Sequence, residues 1–275
     1  MTTITTPVTT TIAHDVPEPR PAGFLADLAS IAGRALRAVP RDAEAVVPPV
    51  FIALFFFVVN LATLERLTDS IPGFDYTAFQ LATAVLLGVT GVSRAGALVL
   101  DVQNQYFDRL LLTPVRRTAI LLGHMAADVA VAAGLTVPIV VLGLVLGVDF
   151  VGGPLGVLAF VVLASLWSLA FAGFGYAIAL KTGNPAAVNS SFLLFFPFLF
   201  LTSSYVPRDQ LSGWLDVVAG LNPVTYLLDG MRTLVMGDAW AWAELGQAVL
   251  AIAAVGVVST SLCFAALRGR IRSGG

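Results

Sequence analysis

Charge is what this sequence has least of. Only 12 % of its 275 residues are Asp, Glu, Lys or Arg, against 57 % hydrophobic, and the mean hydropathy is +0.89. Soluble domains carry roughly 25 % charged residues. Half that supply leaves much of the surface to be covered by lipid. Cysteine is nearly absent: Cys263 stands alone, which excludes an internal disulfide and a cysteine-cluster metal site. The two histidines, His14 and His124, sit in no His-Glu-x-x-His, Ser–His or paired-aspartate setting, which argues against an intramembrane hydrolase and a metal centre. Lysine occurs once. In Gly175-Tyr-Ala-Ile-Ala-Leu-Lys181-Thr182, Leu180 stands where the second glycine of G-x-x-x-x-G-K-[ST] must be, so no phosphate-cradling loop forms there. The chain is expected to bind no cofactor itself, and no nucleic acid.

Long apolar runs are what the sequence does have. A membrane-crossing helix needs about 20 mostly apolar residues, and six segments qualify: Val46–Leu64, Phe79–Leu100, Thr118–Leu146, Pro154–Leu180, Ala187–Tyr205 and Leu245–Leu267. Barrel-type alternation is missing, so the backbone must be satisfied inside helices. Pro48, Pro138 and Pro197 are expected to bend their spans. One side of this arrangement collects Arg20, Arg34, Arg37, Arg41, Arg94, Arg109, Arg116, Arg117, Lys181, Arg268, Arg270 and Arg272; the other holds Arg66, Arg208 and Arg232. Twelve against three places both termini in the cytoplasm. Residues 1–22, rich in Thr and Pro and lacking a signal-peptide pattern, read as a disordered cytoplasmic tail before a single transmembrane domain, 23–275.

Three segments outside the spans carry further information. Phe24–Arg41 mixes Leu25, Leu28, Ile31, Leu36 and Val39 with Arg34, Arg37 and Arg41, a basic amphipathic helix suited to the lipid interface. The cytoplasmic link from Asp101 to Arg117 predicts a short helix that Pro114 ends. Its mixture of apolar and charged residues suits either an ordinary loop or docking into a partner's groove. The external stretch Val206–Glu244 predicts a re-entrant helix pair. In it, Asn222 is an N-cap, Pro223 the first helical residue, Arg232 lies in the last turns and Gly237 is the stop.

These pieces, in this order, resemble the permeases of ABC type-2 exporters, in particular the daunorubicin-resistance type. The resemblance covers nearly the whole chain after residue 23. It rests on Asp101…Asp108-Arg109…Thr113-Pro114-Val115-Arg116-Arg117…Gly123…Asp128, and on Val206-Pro207…Trp214…Leu221-Asn222-Pro223-Val224-Thr225-Tyr226…Arg232…Gly237. Gln105 departs from it, because that family often has glycine there. The resemblance implies a cytoplasmic coupling helix, Asn104–Thr113, that seats Asn104, Tyr106, Phe107, Asp108, Arg109, Leu111, Leu112, Thr113 and Pro114 against an ATPase. It makes Phe24–Arg41 a connecting helix, with Arg34, Arg37 and Arg41 as its basic residues, and Asn222, Pro223 and Arg232 an external gate. It also implies partners: a second permease half, identical or homologous, membrane lipids, and two copies of an ATPase subunit that carries ATP and Mg. The expected location is a bacterial plasma membrane.

The fold expected is therefore an all-α membrane protein of six transmembrane helices with a connecting helix, a coupling helix and an external re-entrant pair. Arg94 and Asp128 fall in or just inside the second and third spans, where a charge costs about 3 kcal/mol or more; they are expected to pair. In the fifth span Phe192, Phe195, Phe196 and Leu199 share a helical face, and with Phe55, Phe56 and Asn60 of the first span they are candidates for the wall of a substrate cavity. Hydrophobic, drug- or lipid-like compounds would bind such a wall. A secondary transporter is the competing reading, but it calls for midplane ionisable groups and inverted repeats. Only Arg94 and Asp128 lie off the surface.

Overall fold

The computed structural model describes residues 23–39, 43–68, 74–91, 93, 95–104, 117–191, 193 and 195–272. Among them every regular element is helical. Helix α1 (Phe24–Ala38) has Asp27 in its first turn and Arg37 in its last, the order that complements the helix dipole. Then come α2 (Ala43–Thr68), α3 (Tyr76–Thr90), α4 (Ala95–Gln103), α5 (Arg117–Val145) and α6 (Pro154–Thr182). Two short helices, α7 (Pro185–Ser191) and α8 (Phe195–Phe200), precede α9 (Trp214–Leu221), α10 (Pro223–Met236) and the long α11 (Trp242–Arg272).

Among the described residues, four helical segments are long and apolar enough to cross a bilayer: Tyr76–Asp101, Ile120–Val145, Pro154–Thr182 and Trp242–Arg270. The first of these is α3 and α4 with an interruption after Thr90, so the expected second span is two helices. Val47–Thr63, within α2, is apolar but shorter. The expected fifth span departs most from its sequence reading. It is broken into α7 and α8, and residues 201–206 leave the helix as bends. The hydroxyls of Thr202 and Ser204 account for the end of α8. Both donate to the Leu199 carbonyl, at 2.6 and 2.8 Å, taking the acceptor that a continuing helix would have used.

Helices α6 and α11 run against each other, α1 lies on α5, and α3 is enclosed by α2, α5 and α10. Fourteen of the fifteen residues of α3 are buried, which is why it reads as uniformly apolar. Small residues set the closest approaches. A Cβ on Gly123 would lie 2.7 Å from Ile31 of α1, and one on Gly173 2.6 Å from Ser259 of α11. Gly183, at φ 59°, ends α6 in the left-handed conformation, and its N–H bonds the Ala179 carbonyl. Two apolar clusters result. One, around Leu81, Leu86, Ile139, Phe160, Trp167, Phe195 and Met231, fills the middle and the end nearest α10. The other joins Ile31, Leu98, Ile120, Tyr176, Cys263 and Leu267 at the opposite end, where the basic residues gather.

Candidate functional site

The turn into α10 begins with a side chain that has two jobs. Asn222 is extended, φ −84° and ψ 121°, and its Oδ1 accepts the Val224 N–H at 3.0 Å. That is an N-cap, and Pro223 at the first helical position costs no hydrogen bond. The Nδ2 of the same amide donates to the carbonyls of Phe198 at 2.6 Å and Leu201 at 3.1 Å. Asn222 thus satisfies both the start of α10 and the frayed end of α8. The Tyr226 hydroxyl donates to the Gly220 carbonyl at 2.6 Å, which fixes α9 against α10.

Two turns further along α10, Arg232 is almost wholly buried. Its Nε donates to the Phe79 carbonyl at 3.2 Å, Nη1 to Ser203 Oγ at 3.1 Å, and Nη2 to Thr83 Oγ1 at 3.2 Å and the Ser204 carbonyl at 3.3 Å. The guanidinium carbon sits 3.5 Å from the centre of the Phe79 ring, a cation–π contact. Asp229, one turn back, lies 3.9 Å from Nη1. Burial pulls the guanidinium down to about 9, with the Asp229 carboxylate acting the other way, so it stays protonated at neutral pH. The sequence shows Arg232 as a helix-dipole partner. The structure makes it the post that ties α10 to α3 and to the unwound 203–204 segment. Thr83, Ser203, Ser204 and Asp229 escape the sequence reading, although three consecutive hydroxyls at the end of an apolar run, Thr202 to Ser204, are a signal in hindsight.

At the basic end, Arg34 of α1 donates to Asp101 of α4 at 2.8 Å. His124 of α5 brings Nε2 to 3.5 Å from the same carboxylate oxygen. Its Nδ1 lies 2.9 Å from the Ile120 carbonyl. His124 is buried. The Gln103 side chain donates to the Gly183 carbonyl at 3.0 Å, joining the end of α4 to the end of α6. Three helices therefore converge on Asp101, the last charged residue before the expected coupling helix.

A model of the ABC-2 type transporter family matches residues 27–236, from within α1 to the last residue of α10. The chain belongs to that family. Relatives include a daunorubicin resistance ABC transporter permease of Streptomyces coeruleorubidus, 26 % identical over 200 residues that cover 71 % of this chain and 68 % of that protein. A probable doxorubicin resistance ABC transporter permease of Mycobacterium tuberculosis is 23 % identical over 218 residues, 78 % of each chain. A putative transport permease of Pyropia yezoensis is 25 % identical over 241 residues, 81 % of this chain and 79 % of that one. Both polar centres described above lie within the stretch that defines the family.

The other sequence-derived sites of this ABC-2 protein are placed as follows. Of the expected coupling helix only Asn104 is among the described residues, as a turn after α4; Tyr106, Phe107, Asp108, Arg109, Leu111, Leu112, Thr113 and Pro114 lie outside them. So do Arg41, Arg94 and Phe192. Arg37 is exposed in the last turn of α1. Asp128, expected to meet Arg94, accepts a 2.7 Å hydrogen bond from the Tyr176 hydroxyl of α6. Phe195 and Leu199 are buried, with the Phe195 ring 6.2 Å from Trp167 and 5.6 Å from Phe171. Phe196 is half-buried and stacks on Phe200. The outward rings of α8 are Phe198 and Phe200. On α2, Phe55 is exposed and stacked on Phe51, while Phe56 and Asn60 are half-buried.

The Arg34–Asp101 pair is open to a charge-exchange test. It is partly exposed, so its own weight is about 1 kcal/mol or less. Arg34→Asp is expected to lower the melting midpoint of the purified protein, and Arg34→Asp with Asp101→Arg to recover at least half of that loss. Simple addition of the two single losses would mean that the pair does not couple α1 to α4.

Proposed function

We propose that this chain is one permease half of an ATP-driven exporter that moves hydrophobic or amphipathic, drug- or lipid-like compounds out of a bacterial cell. The observation that carries the reading is the ABC-2 match over 27–236 together with relatives named as drug-resistance permeases. The proposed topology is six membrane crossings, both termini cytoplasmic, in the plasma membrane. In this reading the interrupted α7–α8 element is the fifth crossing, and α9 with α10 is the external re-entrant pair. Two such halves, identical or homologous, recruit two copies of an ATPase chain that holds ATP and Mg. The absence of a P-loop motif in the sequence supports a separate motor.

The mechanism proposed is alternating access. ATP closes the ATPase dimer, and the closure reaches the bundle through the coupling helix, Asn104–Thr113, and through α1 with Arg34, Arg37 and Arg41. Arg94 and Asp128 brace the base of the bundle above it. The cavity lies between the two halves; Phe55, Phe56, Asn60, Phe192, Phe195, Phe196 and Leu199 are its proposed lining. The inward turn of Phe195 and Leu199 then belongs to a state in which that part of the wall is closed. Substrate leaves past Asn222, Pro223 and Arg232; the bonds of Asn222 and Arg232 to the 198–204 segment link the external helices to the fifth crossing. A force that moves one moves the other.

The test is copurification of the chain from its host membrane with any bound ABC ATPase, followed by assay of ATP hydrolysis in proteoliposomes with daunorubicin as probe. Stimulated hydrolysis is expected to fall at least about fivefold on Arg109→Ala or Leu112→Ala, because losing buried docking contacts costs about 1 kcal/mol or more each. Drug flux driven by a proton gradient without ATP would replace this reading with a secondary transporter.

A further inference from the structure

At the basic end of the bundle α6 and α11 part, leaving a cavity of ≈ 620 Å³ that the exporter reading does not use. Phe174, Ile178, Leu262 and Ala266 make its apolar walls, and Lys181, Thr182 and Arg270 stand among its lining residues. Small residues create the space. Ala177 on α6 and Ala265, Ala266 and Gly269 on α11 hold the facing surfaces low. No carboxylate lines the cavity among the described residues. The basic groups are not placed at random. Lys181 is the only lysine in the chain and lies in the last turn of α6. The Arg270 guanidinium is held against that same turn by a 3.5 Å bond from Nη1 to the Leu180 carbonyl. Long basic side chains can lay their apolar stems along such walls and keep their charged heads at a polar boundary.

We propose that this cavity binds one anionic phospholipid, with its phosphate between Lys181 and Arg270 and an acyl chain along Phe174, Ile178 and Leu262. The charge selects the headgroup. Basic pockets between membrane helices recognise acidic headgroups by attraction that a zwitterionic choline lipid lacks. The walls select a lipid over a free anion, because inorganic phosphate has no use for an apolar groove between two spans. In the topology proposed above the occupant comes from the cytoplasmic leaflet, but the binding itself requires neither transport nor an ATPase.

The full chain, purified and reconstituted in nanodiscs of equal phosphatidylglycerol and phosphatidylcholine, would be analysed by native mass spectrometry after release. The wild-type chain is expected to retain phosphatidylglycerol over phosphatidylcholine by about tenfold or more, the weight of two basic side chains near an anionic surface. Lys181→Gln with Arg270→Gln is expected to bring that ratio near one. Arg208→Gln, a charge change at the opposite end, is expected to leave it unchanged. Ala266→Trp fills the groove without touching the charges and is expected to lower retention of phosphatidylglycerol at least about fivefold, which keeps the test open if the double variant does not fold. Equal retention of both lipids by the wild type overturns the proposal. So does a ratio unchanged in both groove variants, or displacement of the lipid by millimolar inorganic phosphate. None of these outcomes bears on whether the chain is an exporter, which the ATPase assay decides separately.

Discussion

Replacing Arg232 with lysine is expected to abolish transport and to lower the melting midpoint of the purified protein, although the charge is kept. The guanidinium reaches four acceptors on two separate segments, Phe79 and Thr83 on α3 and Ser203 and Ser204 after α8, from three nitrogens in one plane. A lysine ammonium offers its donors from a single point and cannot span them. It also gives up the flat contact on the Phe79 ring, 3.5 Å away. Each buried acceptor left unpaired costs about 1–3 kcal/mol, and some relaxation toward alternative partners is expected, so a net loss of about 2–4 kcal/mol is reasonable. For a chain of this size that corresponds to about 5–15 °C. Arg232→Ala is expected to do at least as much damage. A fluorescence-monitored melt in detergent measures it. Wild-type stability of the lysine variant would show that charge alone matters at this position and that the forked geometry does not.

The same centre shows where sequence reading succeeds and where it stops. Runs long enough to cross a bilayer are a local property, and Thr118–Leu146, Pro154–Leu180 and Leu245–Leu267 correspond closely to α5, α6 and α11. The helix boundary at Asn222-Pro223 is also local chemistry and reads directly. What joins α10 to the rest is not local. Thr83 is 149 residues from Arg232 and Ser203 is 29 away; no periodicity connects them. A threonine in an apolar run looks like a tolerated small residue until a buried guanidinium is placed beside it. The fifth span fails for a related reason. Hydropathy counts Thr202, Ser203 and Ser204 as mildly polar span residues, whereas two of their hydroxyls compete with the backbone for the Leu199 carbonyl and stop the helix. Asp128 shows the same limit from another side: the Tyr176 hydroxyl, 48 residues further along the chain, donates to it, a contact that charge counting does not offer.

Asn222 allows its two jobs to be separated, because aspartate is as good an N-cap as asparagine. Asn222→Asp keeps an oxygen for the Val224 N–H but removes both donors to Phe198 and Leu201. It also sets a carboxylate against two carbonyl oxygens, one of them now 2.6 Å from Nδ2. If capping were the whole role, the aspartate variant would behave as wild type and Asn222→Ala would lose about 1 kcal/mol. The geometry calls for the opposite order. The aspartate variant is expected to be at least as unstable as the alanine variant, each losing about 2–4 kcal/mol through unpaired buried carbonyls. The new carboxyl regains a donor when protonated, and its burial beside carbonyls raises its folded-state pKa above the unfolded value. Part of the loss should therefore return as pH falls through that raised pKa, a recovery the alanine variant cannot show. Asn222 and Arg232 also grip neighbouring parts of one segment, 198–204, so once either is lost the segment is already loose. Their double variant should lose clearly less than the sum of the singles. Strict additivity, with a stable aspartate variant at neutral pH, would mean that α9–α10 and the broken α7–α8 element move independently, and the proposed path from coupling helix to external gate would lose its last link.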